Sequence, residues 1–84
     1  MKIDRDGLAK ALALMESGDW ENAHKIVQVD EDSALACWAH GITHLMEGDI
    51  PNARYWYGEA KRPFPARPSP IREIWALGKW LAEK

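Results

Sequence analysis

The sequence has little cysteine, no long apolar run and no excess of positive charge, and each shortage excludes a class of protein. A single cysteine, Cys37, cannot form an internal disulfide or a cysteine cage for zinc. No stretch approaches the ~20 apolar residues of a membrane span, and the opening MKIDRDGLAK lacks the apolar run of a signal peptide. A formal net charge of -2 argues against binding nucleic acid through charge. We therefore expect a cytoplasmic protein that binds neither membranes nor nucleic acid.

Tryptophan, in contrast, is abundant. A chain of 84 residues buries only about 60 to 65% of the surface that its unfolded form exposes, so its core must be efficient. Each tryptophan can bury about 150 to 250 Å². The five are Trp20, Trp38, Trp56, Trp75 and Trp80. They can stabilise one small domain, residues 1–84, without disulfides.

The spacing of apolar residues in the first third predicts two helices. The first carries its inward side chains at Leu8, Ala11, Leu12 and Met15. It ends at Ser17-Gly18, because glycine readily takes the left-handed conformation found just past a helix end. Asp19 then caps a second helix from about Trp20 to Gln28. The inward residues of this helix are Ala23, Ile26 and Val27.

The middle of the chain repeats this pattern. Asp32 or Ser33 caps a third helix, which runs to Glu47 and ends at Gly48. Asp49 caps a fourth helix and Pro51 is tolerated in its first turn. The inward face of the fourth helix carries Ala53, Trp56, Tyr57 and Ala60.

The last quarter predicts a stiff connector and one more helix. The connector is KRPFPARPS, residues 61–69, whose three prolines exclude regular structure. Ser69 followed by Pro70 is a strong helix start. The spacing assigns to the inward stripe of the fifth helix Ile71, Ile74, Trp75, Gly78 and Leu81. No segment alternates as a strand does, so we expect an all-α fold, a stack of five antiparallel helices.

The two corners GDWENA and GDIPNA lie 30 residues apart, and this repeat resembles the tetratricopeptide (TPR) family. In that family, paired helices carry small or aromatic residues at set positions and a proline follows the second helix. The matching residues here are Gly41, Gly48, Ala53, Tyr57, Ala60 and Pro65. The resemblance implies a degenerate repeat at 1–29, a complete repeat at 33–65 and a closing helix at 70–83.

A narrower resemblance covers about a quarter of the chain. Its residues follow the string H-x3-H-x2-EGD-x2-NA-x-YWY-x2-A, which begins at His40 and ends at Ala60. The string is similar to that of a family of small proteins without a known activity. It supports the fold and leaves the function open.

The histidines are the candidate chemical site. His40, His44 and Glu47 have helical spacings of four and three, so they lie within about 60° of one another on the third helix. With His24 from the second helix they can bind Zn²⁺ or another divalent metal. The alternatives are a hydrogen-bonded structural cluster and acid/base catalysis. HGITH lacks the glutamate of a zincin helix, and no other catalytic constellation is present, so we do not expect an enzyme.

The third helix is apolar around most of its circumference, so it is either central or an interaction surface. The TPR resemblance implies a concave, partner-binding face on this helix. Trp80, which lies about 180° from Ile71 on the fifth helix, is a separate candidate contact. The candidate partner-binding residues are Leu35, Trp38, Ile42, Leu45, Met46 and Trp80. The alternative is that the first and fifth helices cover this face.

The sequence therefore favours a module that binds a protein or peptide, or associates with a second copy of itself as a homodimer, and that needs no cofactor. The alternative is a small metal- or ligand-binding protein that uses the cluster of His40, His44 and Glu47.

Overall fold

Five helices are present in the predicted order. The computed structural model describes residues 2–83, and no strand occurs within that range, which confirms the all-α class. The helices are α1 (Arg5–Glu16), α2 (Trp20–Val27), α3 (Ala34–Glu47), α4 (Ile50–Glu59) and α5 (Pro70–Ala82). Among residues 2–83, no helix has both the length and the apolar character needed to cross a membrane.

The two glycine-aspartate corners have the same geometry. The backbone φ is 88° at both glycines, the left-handed conformation that glycine adopts without steric cost. Asp19 then accepts a hydrogen bond from the backbone N–H of Asn22 at 3.2 Å, and Asp49 accepts one from that of Asn52 at 3.3 Å. Each corner therefore ends one helix, caps the next, and joins α1 to α2 and α3 to α4 as packed hairpins.

Helix α3 is the central element, because it packs against each of the other four helices. Nine of its 14 residues are buried. Trp38 and Ile42 have exposed fractions of 1% and 0%. The helix is apolar around most of its circumference because its neighbours bury it from several sides.

Gly41 allows α3 and α4 to approach closely. An added Cβ at this position would lie 2.6 Å from Cδ1 of Tyr57 and 3.3 Å from the carbonyl oxygen of Ala53. Tyr57 is itself buried, with an exposed fraction of 1%, so its ring cannot move aside freely. A glycine is therefore required for this helix crossing.

Helix α5 is rotated relative to the prediction, because Glu73 faces the core. Its carboxylate accepts hydrogen bonds from Nε1 of Trp38 at 3.2 Å and from the hydroxyl of Tyr57 at 2.6 Å. The predicted stripe is consequently wrong at Ile71 and Trp75, which are 80% and 67% exposed. The residues of α5 that enter the core are Ile74, Leu77 and Leu81.

The connector between α4 and α5 packs against side chains of α3 and α4. The guanidinium of Arg62 lies 3.6 Å from the centre of the Trp38 ring, and Phe64 contacts the Tyr57 ring edge to face at 5.2 Å. The guanidinium of Arg5 donates to the carbonyl of Leu81 and ties the start of α1 to the end of α5.

Replacement of Gly41 by alanine tests the close crossing. We expect Gly41→Ala to lower the free energy of unfolding by about 1 to 3 kcal/mol, because the new methyl group overlaps the Tyr57 ring. Gly58 in α4 is the matched control, because an added Cβ there has no atom within 4 Å. Gly58→Ala should raise stability by about 0.5 to 1 kcal/mol through helix propensity. Urea unfolding measures the free energy of unfolding of both variants. Equal changes in the two would contradict the close crossing of α3 and α4.

Candidate functional site

The three histidines of the chain meet between α2 and α3. Their ring centres are separated by 4.7 Å for His24 and His40, and by 5.1 Å from His44 to either. One ring nitrogen of each lies within 4.8 Å of the others. The helical spacing of four places His40 beside His44, whereas the packing of α2 on α3 brings His24 to them. The structure therefore assembles three of the four predicted metal ligands.

His40 is the buried member of the cluster, with an exposed fraction of 5%. Its ring stacks on Trp56, with ring centres 4.0 Å apart and an angle of 14° between the planes. Its Nε2 lies 3.0 Å from Nε2 of His24. Its Nδ1 is buried and has no hydrogen-bond partner.

His44 is half-buried and pairs with Glu47. Its Nδ1 lies 2.6 Å from Oε1 of the glutamate. Glu47 therefore supports His44 and is not a member of the group of three histidines. It belongs with Asp49 and His44 to a second, more exposed group of ligand atoms. The sequence predicts only a capping role for Asp49 and gives no sign of its proximity to His44.

The environment favours neutral imidazoles at the buried end of the cluster. Burial lowers the pKa of His40 to about 3, and the neighbouring imidazoles of His24 and His44 act in the same direction. Burial also lowers the pKa of His24, with a further contribution from His44, although Glu47 opposes the shift. Both rings therefore keep an unprotonated nitrogen near neutral pH, which is the form that binds metals.

Two other reactive side chains remain in their neutral forms. Cys37 is 1% exposed and burial raises the pKa of its thiol. Burial also raises the pKa of the Tyr57 hydroxyl, and the adjacent Glu73 carboxylate adds to that rise. Neither group is an activated nucleophile in this fold.

The predicted partner-binding face is divided by the fold. Trp38, Ile42 and Leu45 are buried, with exposed fractions of 5% or less, because α1 and α5 pack over them. They form no open groove, so their assignment to a partner-binding face is wrong. Of the remaining residues, Leu35 and Trp80 line one groove, and Met46 lines a different one.

The groove at Met46 adjoins an exposed apolar surface, which we call the Trp75 face. This face consists of Ile71 and Trp75 on α5, with Met15, Met46 and Ile74 lining the groove beside them. The groove has a volume of about 430 Å³. The sequence does not predict this face, because α5 is apolar on two sides and periodicity alone assigns Ile71 and Trp75 to the core.

Comparison with protein-family models, with curated proteins and with solved structures found no match for this chain.

The depressed pKa of His40 predicts a loss of stability in acid. The unfolded chain binds a proton near the ordinary pKa of 6.5, whereas the folded protein does so only near 3, so stability falls as the pH drops from 7 towards 3. The loss between pH 7 and pH 5 should be about 2 kcal/mol from this residue. The neighbouring imidazoles of His24 and His44 act on His40 in the same direction as burial, and the lowered pKa of His24 adds to the loss of stability in acid.

Urea unfolding at pH 7 and pH 5 in metal-free buffer measures this loss. His40→Phe keeps an aromatic ring against Trp56 and removes the titrating group, so its stability should depend less on pH. A native protein whose free energy of unfolding is the same at both pH values would contradict the burial of a neutral His40.

Proposed function

We propose that this protein works by association through the Trp75 face, and that the partner on this face is a second copy of the chain. The observation that carries the proposal is the exposure of Ile71 and Trp75, at 80% and 67%, on one face of a well-capped helix. An exposed pair of large apolar side chains one helical turn apart is typical of interaction surfaces. Tryptophan is also the residue type most enriched among residues that dominate binding energy.

The face carries both parts of a self-complementary contact. Ile71 and Trp75 project from α5, and the groove lined by Met15, Met46 and Ile74 lies directly beside them. In a two-fold dimer, each copy can insert its projecting side chains into the groove of the other. Methionine is flexible and polarizable, so a groove lined by two methionines adapts to such an insertion.

The charges at the edge of the Trp75 face also support a second copy of the chain as the partner. Glu16 lines the groove on the α1 side, while Arg72 and Lys79 flank Trp75 along α5. The ammonium of Lys79 lies 5.2 Å from the centre of the Trp75 ring. A two-fold arrangement can bring Glu16 of one copy near a basic residue of the other. A surface that carries both negative and positive charges is better suited to self-association than to binding a strongly charged partner.

A TPR-like repeat in residues 33–65 is part of this proposal. Its support is the α3–α4 hairpin, the close crossing at Gly41 and the two equivalent corners. A helical pair of this kind is a frequent scaffold for interaction modules. A cytoplasmic location stays a prediction, which rests on the single cysteine.

Trp75→Glu tests the proposed association. We expect the native protein to be in concentration-dependent equilibrium between monomer and dimer, and the substitution to weaken dimer formation by about 10- to 100-fold. Trp75 is exposed, so the change should not disturb the core. Sedimentation equilibrium over a series from low micromolar to millimolar protein gives the dissociation constants.

Tyr55→Glu is the matched control, because Tyr55 is an exposed aromatic residue, at 57%, on a different helix. It should dimerise as the native protein does. A native protein that stays monomeric throughout the series would contradict self-association. Dimers that survive Trp75→Glu but dissociate in Tyr55→Glu would place the interface on α4.

A further inference from the structure

We propose that His24, His40 and His44 bind one divalent transition-metal ion with the ligand preference of Zn²⁺. This site is separate from the Trp75 face and does not depend on self-association. Two helices contribute to it: His24 lies on α2, and His40 and His44 lie one turn apart on α3. Every histidine of the chain is part of this cluster.

The distances within the cluster fit a single ion. Tetrahedral zinc with Zn–N bonds of about 2.0 to 2.1 Å places its ligand nitrogens about 3.3 to 3.4 Å apart. Here the Nε2 atoms of His24 and His40 are 3.0 Å apart, and His44 completes the group within 4.8 Å. To bind one ion, the Nε2 atoms of His24 and His40 must move slightly apart and the ring of His44 must move slightly closer to them. Rotation of these side chains on fixed helices can provide both movements.

Glu47 prepares His44 to act as a ligand. Because the glutamate holds Nδ1 of His44 at 2.6 Å, that nitrogen carries the ring proton and Nε2 is left with a free lone pair. A carboxylate that accepts from the second nitrogen of a ligating histidine is the usual support of a zinc site. This carboxylate orients the ring.

The surroundings of His40 direct its Nε2 into the cluster. Its Nε2 lies 3.0 Å from Nε2 of His24, within hydrogen-bond distance. Its Nδ1 is buried without a partner among residues 2–83, and an ion bound at Nε2 would leave it so. Stacking on Trp56 holds the ring with Nε2 beside His24. The fold thus holds Nε2 of His40, which is shielded from water, at the place where the other two imidazoles converge.

The ligand set indicates the class of ion. Three neutral imidazoles suit Zn²⁺, and also Cu²⁺, Ni²⁺ and Co²⁺, whereas Mg²⁺ and Ca²⁺ prefer oxygen ligands. The cluster supplies three ligands, so a bound Zn²⁺ would keep a position for water or a small anion.

The test measures Zn²⁺ binding by isothermal titration calorimetry and thermal unfolding. We expect one Zn²⁺ per chain, and a rise in Tm of about 10 to 20 °C when free Zn²⁺ is about 100 times its Kd. Mg²⁺ at the same concentration should leave Tm unchanged. Glu47→Gln should weaken Zn²⁺ binding by about 10- to 100-fold, the usual effect of removing such a supporting carboxylate.

Two substitutions distinguish this cluster from the more exposed group of His44, Glu47 and Asp49. His24 belongs only to the trihistidine cluster and Asp49 only to the other group. We expect His24→Gln to abolish stoichiometric Zn²⁺ binding, and Asp49→Asn to preserve it, since asparagine caps a helix as well as aspartate does. Circular dichroism and Tm in EDTA verify that both variants fold.

The opposite pattern, with binding retained in His24→Gln and lost in Asp49→Asn, would assign the ion to the exposed group and overturn the proposal. Absence of stoichiometric Zn²⁺ binding by the native protein would also overturn it. Should His24→Gln fail to fold, Asp49→Asn still decides the question, because retained stoichiometric Zn²⁺ binding in that variant excludes the exposed group and lost binding assigns the ion to it.

Discussion

The arrangement of the helices depends on the hydrogen bonds that the carboxylate of Glu73 accepts. It accepts hydrogen bonds from Trp38 on α3 and from Tyr57 on α4, so one side chain of α5 joins three helices. Tyr57 is thereby fixed with its ring against Gly41, which determines how closely α3 and α4 cross. The same contact fixes the rotation of α5. As a result, Leu77 is buried and Trp75 is exposed, and α5 acquires the surface that we propose for association.

The two polar clusters of the core differ in how completely their hydrogen bonds are satisfied. Glu73 gives both Trp38 and Tyr57 a partner, as a structural network should. The histidine cluster does not, because Nδ1 of His40 is buried without a partner among residues 2–83, although its Nε2 lies within hydrogen-bond distance of Nε2 of His24. Departures from full pairing in an otherwise consistent fold occur most often at functional sites. This contrast is the reason to regard the histidines as more than core residues.

Helix α3 links the two proposed sites while keeping them apart. It carries His40 and His44 on the side that meets α2, and the end of the same helix provides Met46 to the groove of the Trp75 face. The same helix carries Trp38, Ile42 and Leu45, which the sequence assigned to a partner and the structure buries. A helix that is apolar on nearly every side is thus used mainly as the core of the stack, and only its ends and one polar edge remain for function.

The sequence determined the local structure, because local structure depends on neighbouring residues. Glycine-aspartate corners, serine caps and the spacing of apolar residues gave five helices with nearly correct ends, and a spacing of four put His40 beside His44. Tertiary packing decided the rest: that His24 completes the cluster, and that Ile71 and Trp75 face outward. Periodicity defines which residues share a face of a helix. On a helix with two apolar faces, only contacts between distant residues, here Glu73 with Trp38 and Tyr57, select the face that is buried.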